Sequence, residues 1–150
     1  LALRVGVQWS TEVDLRVRPA AGAAAAAAPA RRVTQVYCSA VPVAYAGGTT
    51  PEEWAPLAQV VLRGAYEATF AAAAIIATAR EKRVKLVLTH VGGGVFGNKK
   101  EWICDAIARA LYQFQKSPLD VELLHYIGHN ADAKKATCIY ASALPSGTTT

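Results

Sequence analysis

A glycine-rich turn between a predicted strand and a predicted helix constrains the fold of this chain more than any other feature. The turn reads Gly-Gly-Gly-Val-Phe-Gly-Asn over residues 92–98. Residues 84–91 before it are almost continuously apolar, which is typical of a buried strand. Residues 99–116 after it repeat apolar side chains at helical spacing. Such a turn points backbone N–H groups and the positive end of a helix dipole at its surroundings, as phosphate-binding turns do.

The other predicted elements continue an alternation of strands and helices. Residues 1–17 indicate one or two strands, and residues 33–45 begin as a strand that ends near Pro42. Residues 51–80 form a long amphipathic helix, and residues 121–127 indicate a last strand.

The start of the long helix carries a clear signal. Thr50 and Glu53 have the spacing of a capping box, and Pro51 stands at the first helical position. Pro56 falls inside the same helix and predicts either a later start or a bend.

Strands that alternate with helices predict an α/β fold. Crossover connections through helices give parallel strands, with the helices packed on the sheet. We therefore expect three layers, in which a mostly parallel sheet carries helices on both faces. Ligands of such sheets bind outside the carboxyl ends of the strands. The loops at residues 39–45, 90–98 and 126–130 should therefore converge on one cleft.

Length and composition indicate one globular domain that spans residues 1–150. Residues 19–32 are alanine-rich and of low complexity, so we expect a loop insertion there. The chain starts at Leu1 and contains no methionine, from which we expect the C-terminal part of a longer polypeptide.

Charge and cysteine content narrow the partners and the compartment. The net charge of +5 favours anionic ligands, but the basic residues are scattered, which argues against nucleic acid as a partner. Cys38, Cys104 and Cys138 form no CxxC pair, so we expect a reducing, intracellular and cytoplasmic setting. The longest apolar stretch is too short and too rich in alanine to predict a membrane span.

The glycine turn is neither a P-loop nor a dinucleotide-binding fingerprint. No Gly-Lys-Ser/Thr follows it, and its glycines are spaced differently from the GxGxxG pattern. A purely structural turn that needs positive φ is the simplest alternative.

The larger pattern, over residues 33–126, resembles the macro domain, an ADP-ribose-binding module. KLVLTHVGGGVFGNKKEWICDAIARAL is similar to the strand, ligand loop and helix of that family, whose loop reads glycine-x-aromatic-glycine. The resemblance implies that this loop wraps a diphosphate and the distal ribose, with Phe96 against the ribose and Asn98 as the helix cap. It implies that Tyr126 walls the adenosine pocket, where a packed aromatic is an equal alternative. The ligand-binding residues so predicted are Gly92, Gly93, Gly94, Val95, Phe96, Gly97, Asn98 and Tyr126.

The chain also departs from the family pattern. The asparagine-rich loop of the hydrolytic members does not occur before residue 33, and neither Glu12 nor Asp14 has the context of their adenine-binding aspartate. We therefore predict binding of ADP-ribose or of an ADP-ribosylated protein, and no catalytic residue is assigned. An ADP-ribose-linkage hydrolase with its catalytic loop upstream, or a non-binding interaction domain, remains an alternative.

Other chemistry-bearing residues give weaker signals. His125 and His129 are four residues apart, but a zinc site would need a third ligand, so we predict no metal and no cofactor. His90 precedes the glycines and could donate to an oxyanion, although a half-buried structural histidine is the simpler interpretation. Cys38 has no basic neighbour in sequence, which favours a buried, unreactive thiol.

Overall fold

The computed structural model describes residues 3–13 and 31–124 of the chain. These residues contain both helices and strands, which confirms the α/β class. In chain order the elements are β1 (Gly6–Val13), β2 (Arg31–Tyr37), a short 3-10 helix (Val43–Tyr45), α1 (Pro51–Arg80), β3 (Val84–Thr89), α2 (Lys100–Gln113) and β4 (Leu119–Leu124).

The described strands form two separate pairs. β1 and β2 are antiparallel, with an irregularity between Gln8 and Thr11 where Ser10 has a φ of 48°. β3 and β4 are parallel, in register from Val84 opposite Leu119 onward. Within the described ranges β2 makes no ladder with β3, so the predicted continuous parallel sheet is realised there only as β3 and β4.

The N-terminal end of α1 confirms the predicted capping box. The Glu53 carboxylate accepts a hydrogen bond from the Thr50 backbone N–H at 2.7 Å, and Pro51 is the first helical residue. The predicted later start at Pro56 is wrong, because that proline removes only one backbone hydrogen bond from a 30-residue helix. α1 ends at Arg80, as predicted, with Glu81 in the left-handed conformation.

The core lies between α1, α2 and the inner face of β3. Its fully buried large side chains come from both helices, and Leu86 and Leu88 of β3 pack against them. The largest of these side chains are Phe70, Leu62, Ile103 and Ile107. Burial of each contributes about 2 kcal/mol.

α1 is also long and apolar enough, by length and composition, to cross a membrane. Core helices of soluble proteins meet the same criterion, and buried residues of α1 such as Leu62, Tyr66 and Phe70 belong to this core. On the polar side of the helix, Arg63 pairs with Asp105 of α2 at 2.9 Å.

The alternation of β3 places Leu86 and Leu88 inside, and Lys85, Val87 and Thr89 on an exposed face. A helical layer on that second face remains a prediction.

Several predicted boundaries shift. β3 ends at Thr89 rather than at residue 91, and β4 begins at Leu119 rather than at residue 121. Residues 125–127, the predicted end of β4, lie outside the described residues. Arg31 and Arg32, predicted to lie in the alanine-rich insertion, belong to β2 because they pair with β1. The remainder of that insertion lies outside the described residues.

Candidate functional site

The glycine turn connects the end of β3 to the start of α2 and is held by its own backbone hydrogen bonds. The Gly93 N–H donates to the His90 carbonyl at 3.2 Å, and the Gly97 N–H donates to the Gly94 carbonyl at 3.0 Å. The Asn98 N–H closes the loop on the Gly92 carbonyl, also at 3.0 Å. The loop is therefore a folded turn and not an extended connection.

Two of its glycines are required by the fold. Gly92 and Gly97 have φ values of +76° and +70°, a region that side chains rarely adopt. A Cβ on Gly92 would lie 2.3 Å from the Ala40 Cβ, and one on Gly97 would lie 2.8 Å from the Ala44 Cβ. The positive φ values and close contacts at these two positions agree with the alternative that the turn is purely structural.

Gly94 is different, because neither its backbone nor its packing requires glycine. Its φ is not positive, and a Cβ added there would meet nothing within 4 Å. Open space above a glycine is what a ligand needs to approach the backbone closely.

Three consecutive N–H groups of the turn have no internal acceptor. In the part of the chain that the structure describes, the N–H groups of Gly94, Val95 and Phe96 donate to no carbonyl or side chain. Gly94 and Val95 are exposed, and Phe96 is half-buried. Successive N–H groups without an acceptor, beside a helix start, form a donor surface that suits an anion.

The start of α2 adds to this donor surface. Lys99 is the N-cap residue and makes no side-chain capping hydrogen bond, so the first-turn N–H groups of α2 have no side-chain acceptor there. The Lys99 ammonium pairs with Glu52 and lies 5.8 Å from the centre of the Trp102 ring. The hydrogen bond from Lys99 lowers the pKa of Glu52 below its usual range.

Asn98 does not cap α2, so that prediction is wrong. The helix begins at Lys100 with Lys99 as its cap, and the Asn98 side chain is only 5% exposed. Its amide nitrogen donates to the Val41 carbonyl at 2.8 Å and to the Gly92 carbonyl at 3.3 Å. Asn98 therefore supports the loop through Gly92 and ties it to the neighbouring loop through Val41.

Tyr66 of α1 holds the end of β3, a role that the sequence did not indicate. Its hydroxyl donates to the Thr89 carbonyl at 2.7 Å and accepts from the Val91 N–H at 3.0 Å. Burial raises the pKa of Tyr66 to about 12, so the phenol stays protonated. The available signal was a tyrosine among the apolar positions of α1, because a buried hydroxyl needs a polar partner.

The loop after β2 meets the glycine turn, as two of the three converging loops were predicted to do. The Ala44 N–H donates to the Phe96 carbonyl at 3.0 Å, and the Tyr45 and Phe96 rings pack edge to face at 5.9 Å. Tyr45 is 65% exposed and Val95 is 73% exposed, so an apolar rim stands beside the free N–H groups. Tyr45 was not singled out in the sequence, although its loop was.

The third predicted loop, at residues 126–130, lies outside the described residues together with Tyr126 and the two C-terminal histidines. Among the described residues, no cluster of His, Cys, Asp or Glu could hold a metal ion. His90 is half-buried beside the turn. Burial raises the pKa of the Cys38 thiol, which leaves it protonated and weakly nucleophilic.

Comparison with protein-family models, with curated proteins and with solved structures finds no match to this chain. The resemblance to the macro domain therefore depends on the residues of the loop and of its flanking elements, and it stays a prediction.

Proposed function

We propose that this chain binds ADP-ribose, free or attached to a protein, with residues 92–98 around the diphosphate. In this proposal the described elements belong to a three-layer, macro-domain-like fold in an intracellular, cytoplasmic protein. The chain acts as a binding module, and no catalytic residue is assigned to it.

The run of N–H groups at Gly94, Val95 and Phe96, which have no acceptor among residues 3–13 and 31–124, carries the proposal. A diphosphate presents several oxygens along a short path, which matches consecutive donors better than it matches one isolated donor. The open space at Gly94 supports close approach of phosphate oxygens to the backbone.

The apolar rim supports a ligand larger than phosphate. Tyr45, Val95 and Phe96 expose or half-expose apolar side chains beside the donor surface. A sugar or a base can pack against such side chains, whereas inorganic phosphate gains nothing from them. Phe96 against the distal ribose would fit the position that the family resemblance implies.

Isothermal titration with ADP-ribose, AMP and inorganic phosphate tests the proposal. We expect the strongest binding for ADP-ribose, because it alone of the three offers a diphosphate together with a second ribose. A Kd of about 1 mM corresponds to a binding free energy of about 4 kcal/mol. Absence of heat with ADP-ribose at about that concentration would rule out binding of this strength.

A glycine substitution separates the ligand role from the structural role of the turn. Gly94→Val should abolish ADP-ribose binding while the circular dichroism spectrum stays unchanged, because the added side chain meets only open space. Gly47→Val is the matched control, since a Cβ at Gly47 also meets nothing within 4 Å and lies on the neighbouring loop. Equal affinities of the two variants would show that the turn does not contact the ligand.

A further inference from the structure

An ion pair joins the starts of the two helices beside the glycine turn. The Lys99 ammonium, at the cap of α2, pairs with the Glu52 carboxylate in the first turn of α1. The two residues lie 47 positions apart in the sequence, so only the tertiary structure brings them together. The Lys99 side chain is 41% exposed and that of Glu52 is 63% exposed, so the pair can open without disturbing the core.

This ion pair continues a series of contacts between the glycine turn and the loop after β2. The Ala44 N–H donates to the Phe96 carbonyl at 3.0 Å, and the Asn98 amide donates to the Val41 carbonyl at 2.8 Å. These contacts fix the end of the turn, and Lys99 is the next residue along the chain. Lys99 is therefore held directly beside the turn.

Lys99 is close enough in the chain to serve an anion on the turn. It follows Phe96 by three residues, so the two Cα atoms are at most about 11 Å apart. The lysine side chain is a flexible stem with a compact charge at its end. The ammonium can therefore turn from Glu52 toward an anion that the N–H groups of residues 94–96 hold.

The balance of charge favours such an exchange of partners. Residues 92–98 carry no charged side chain, so Lys99 is the first cation after the turn. A diphosphate carries more negative charge than one carboxylate, so at equal distance it attracts an ammonium more strongly. The pair with Glu52 is exposed, and exposed ion pairs contribute little to stability. Release of Lys99 from Glu52 therefore costs less than a charged hydrogen bond to a phosphate oxygen contributes.

We propose that Lys99 is a specificity-determining residue of the ADP-ribose site and that Glu52 competes with the ligand for its ammonium. When the diphosphate binds the turn, the ammonium leaves Glu52 and pairs with a phosphate oxygen. Glu52 therefore weakens binding and makes the site selective for ligands that carry more charge than a carboxylate. This inference rests on the proposed binding of ADP-ribose.

Isothermal titration of two matched variants with ADP-ribose tests the competition. Glu52→Gln and Glu53→Gln each remove one carboxylate from the first turn of α1, and glutamine can still serve in a capping box. Glu52 pairs with Lys99, whereas Glu53 accepts from the Thr50 backbone N–H. We expect Glu52→Gln to bind ADP-ribose roughly two- to fivefold more tightly than Glu53→Gln does. Equal affinities would overturn the competition.

The same comparison without the Lys99 charge isolates the exchange. Lys99→Gln removes the ammonium, and glutamine is not a favoured N-cap residue, so it supplies no new cap. We expect Lys99→Gln to bind ADP-ribose roughly two- to fivefold more weakly than the wild type, and Glu52→Gln to gain nothing over Glu53→Gln in that background. An equal gain with and without Lys99 would mean that Glu52 acts by general repulsion alone, which overturns the proposal.

The Glu52 carboxyl reports the exchange directly. The hydrogen bond from Lys99 is the main cause that holds the pKa of Glu52 below its ordinary value. In an NMR titration we expect this pKa to rise when ADP-ribose saturates the wild type, and to rise less in Lys99→Gln, where only the charge of the ligand acts. An equally low pKa in the complex would show that Lys99 stays on Glu52 and that the pair only joins the helices.

Failure of this inference is distinguishable from failure of the proposed function. Absence of heat with ADP-ribose for the wild type and for every variant would overturn the proposed function, and this inference with it. Binding of ADP-ribose with equal affinities of Glu52→Gln and Glu53→Gln would overturn only the role of Lys99.

Discussion

The chain passes from a strand into a helix twice, and the two helix starts are satisfied in different ways. At the first junction, between β2 and α1, a capping box closes the start of the helix, and Glu52 and Glu53 lie in its first turn. At the second junction, between β3 and α2, the cap residue is Lys99, which makes no capping hydrogen bond. In both helices the carbonyl of the cap residue accepts a hydrogen bond from the first turn, from Glu53 to Thr50 and from Trp102 to Lys99. Only α1 adds the side chains of a capping box.

The difference indicates which of the two helix starts would bind an anion more strongly. The first turn of α1 holds two carboxylates, whereas the first turn of α2 holds one, Glu101, so an external anion is repelled less at the start of α2. The start of α2 combines unpaired turn N–H groups, an uncapped helix end and the open space at Gly94. Of the two junctions, the second is therefore the better anion site, and four predictions test the comparison.

The largest expected effect is on the free energy of unfolding when one glycine in each junction is replaced by alanine. Gly92→Ala should lower the free energy of unfolding by roughly 2–5 kcal/mol, since it adds left-handed strain to a Cβ placed 2.3 Å from Ala40. Gly48→Ala, on the first junction with a φ of +79° and nothing within 4 Å, should cost only about 1–2 kcal/mol. Urea unfolding measures both. Equal losses would mean that the second junction is no more tightly packed than the first.

The next effect tests the hydroxyl that holds the end of β3. Tyr66→Phe removes the hydroxyl from the Thr89 carbonyl and the Val91 N–H, which still bond to each other at 3.0 Å, and we expect a loss of about 0.5–1.5 kcal/mol. Tyr112→Phe is the control, because Tyr112 is 70% exposed and its change should stay within about 0.5 kcal/mol. No difference between the two variants would contradict the role of Tyr66.

The stability at alkaline pH tests the Tyr66 hydroxyl independently. The pKa of Tyr66 rises from 10.0 to about 12 on burial, so the unfolded state releases the phenolic proton first. The wild type should therefore keep its full stability below about pH 10 and lose part of it as the pH rises toward 12. Tyr66→Phe should lack this part of the loss.

The smallest effect tests the uncapped helix start. Lys99→Ser supplies a side-chain acceptor to α2, which stabilises it by about 1 kcal/mol, while the loss of the exposed pair with Glu52 costs less than that. If the start of α2 faces the ligand, the new cap competes with it for the helix N–H groups. The ADP-ribose affinity of Lys99→Ser should then fall by up to about fivefold more than that of Lys100→Ser. The second variant removes a neighbouring positive charge without adding a cap. Equal affinities would place the ligand away from α2.

Local rules predicted the start of α1 well and the start of α2 poorly. Thr50, Pro51 and Glu53 interact within one helical turn, so spacing alone reveals the capping box. Asn98 and Glu101 have the same three-residue spacing in the sequence. The Asn98 side chain nevertheless turns inward to Val41, a residue 57 positions away. A side chain with a distant partner cannot be assigned from its neighbours.

The same limit applies to the site and to the sheet. The glycine turn and its place between β3 and α2 follow from apolar periodicity, and so does the meeting of the two loops. Three other features could not be predicted from the sequence, because each depends on how far apart packed elements lie. They are the hydrogen bonds of the Tyr66 hydroxyl, the ring contact of Tyr45 with Phe96, and the lack of a ladder between β2 and β3.

By itself, the sequence determined the order of elements, the capped start of α1 and the existence of a glycine turn at a strand end. These features depend on interactions within a few residues, which spacing expresses directly. Only the tertiary structure decided which glycines the fold requires and which N–H groups remain free. That choice depends on Ala40, Ala44 and Val41, which reach the turn from a distant part of the chain.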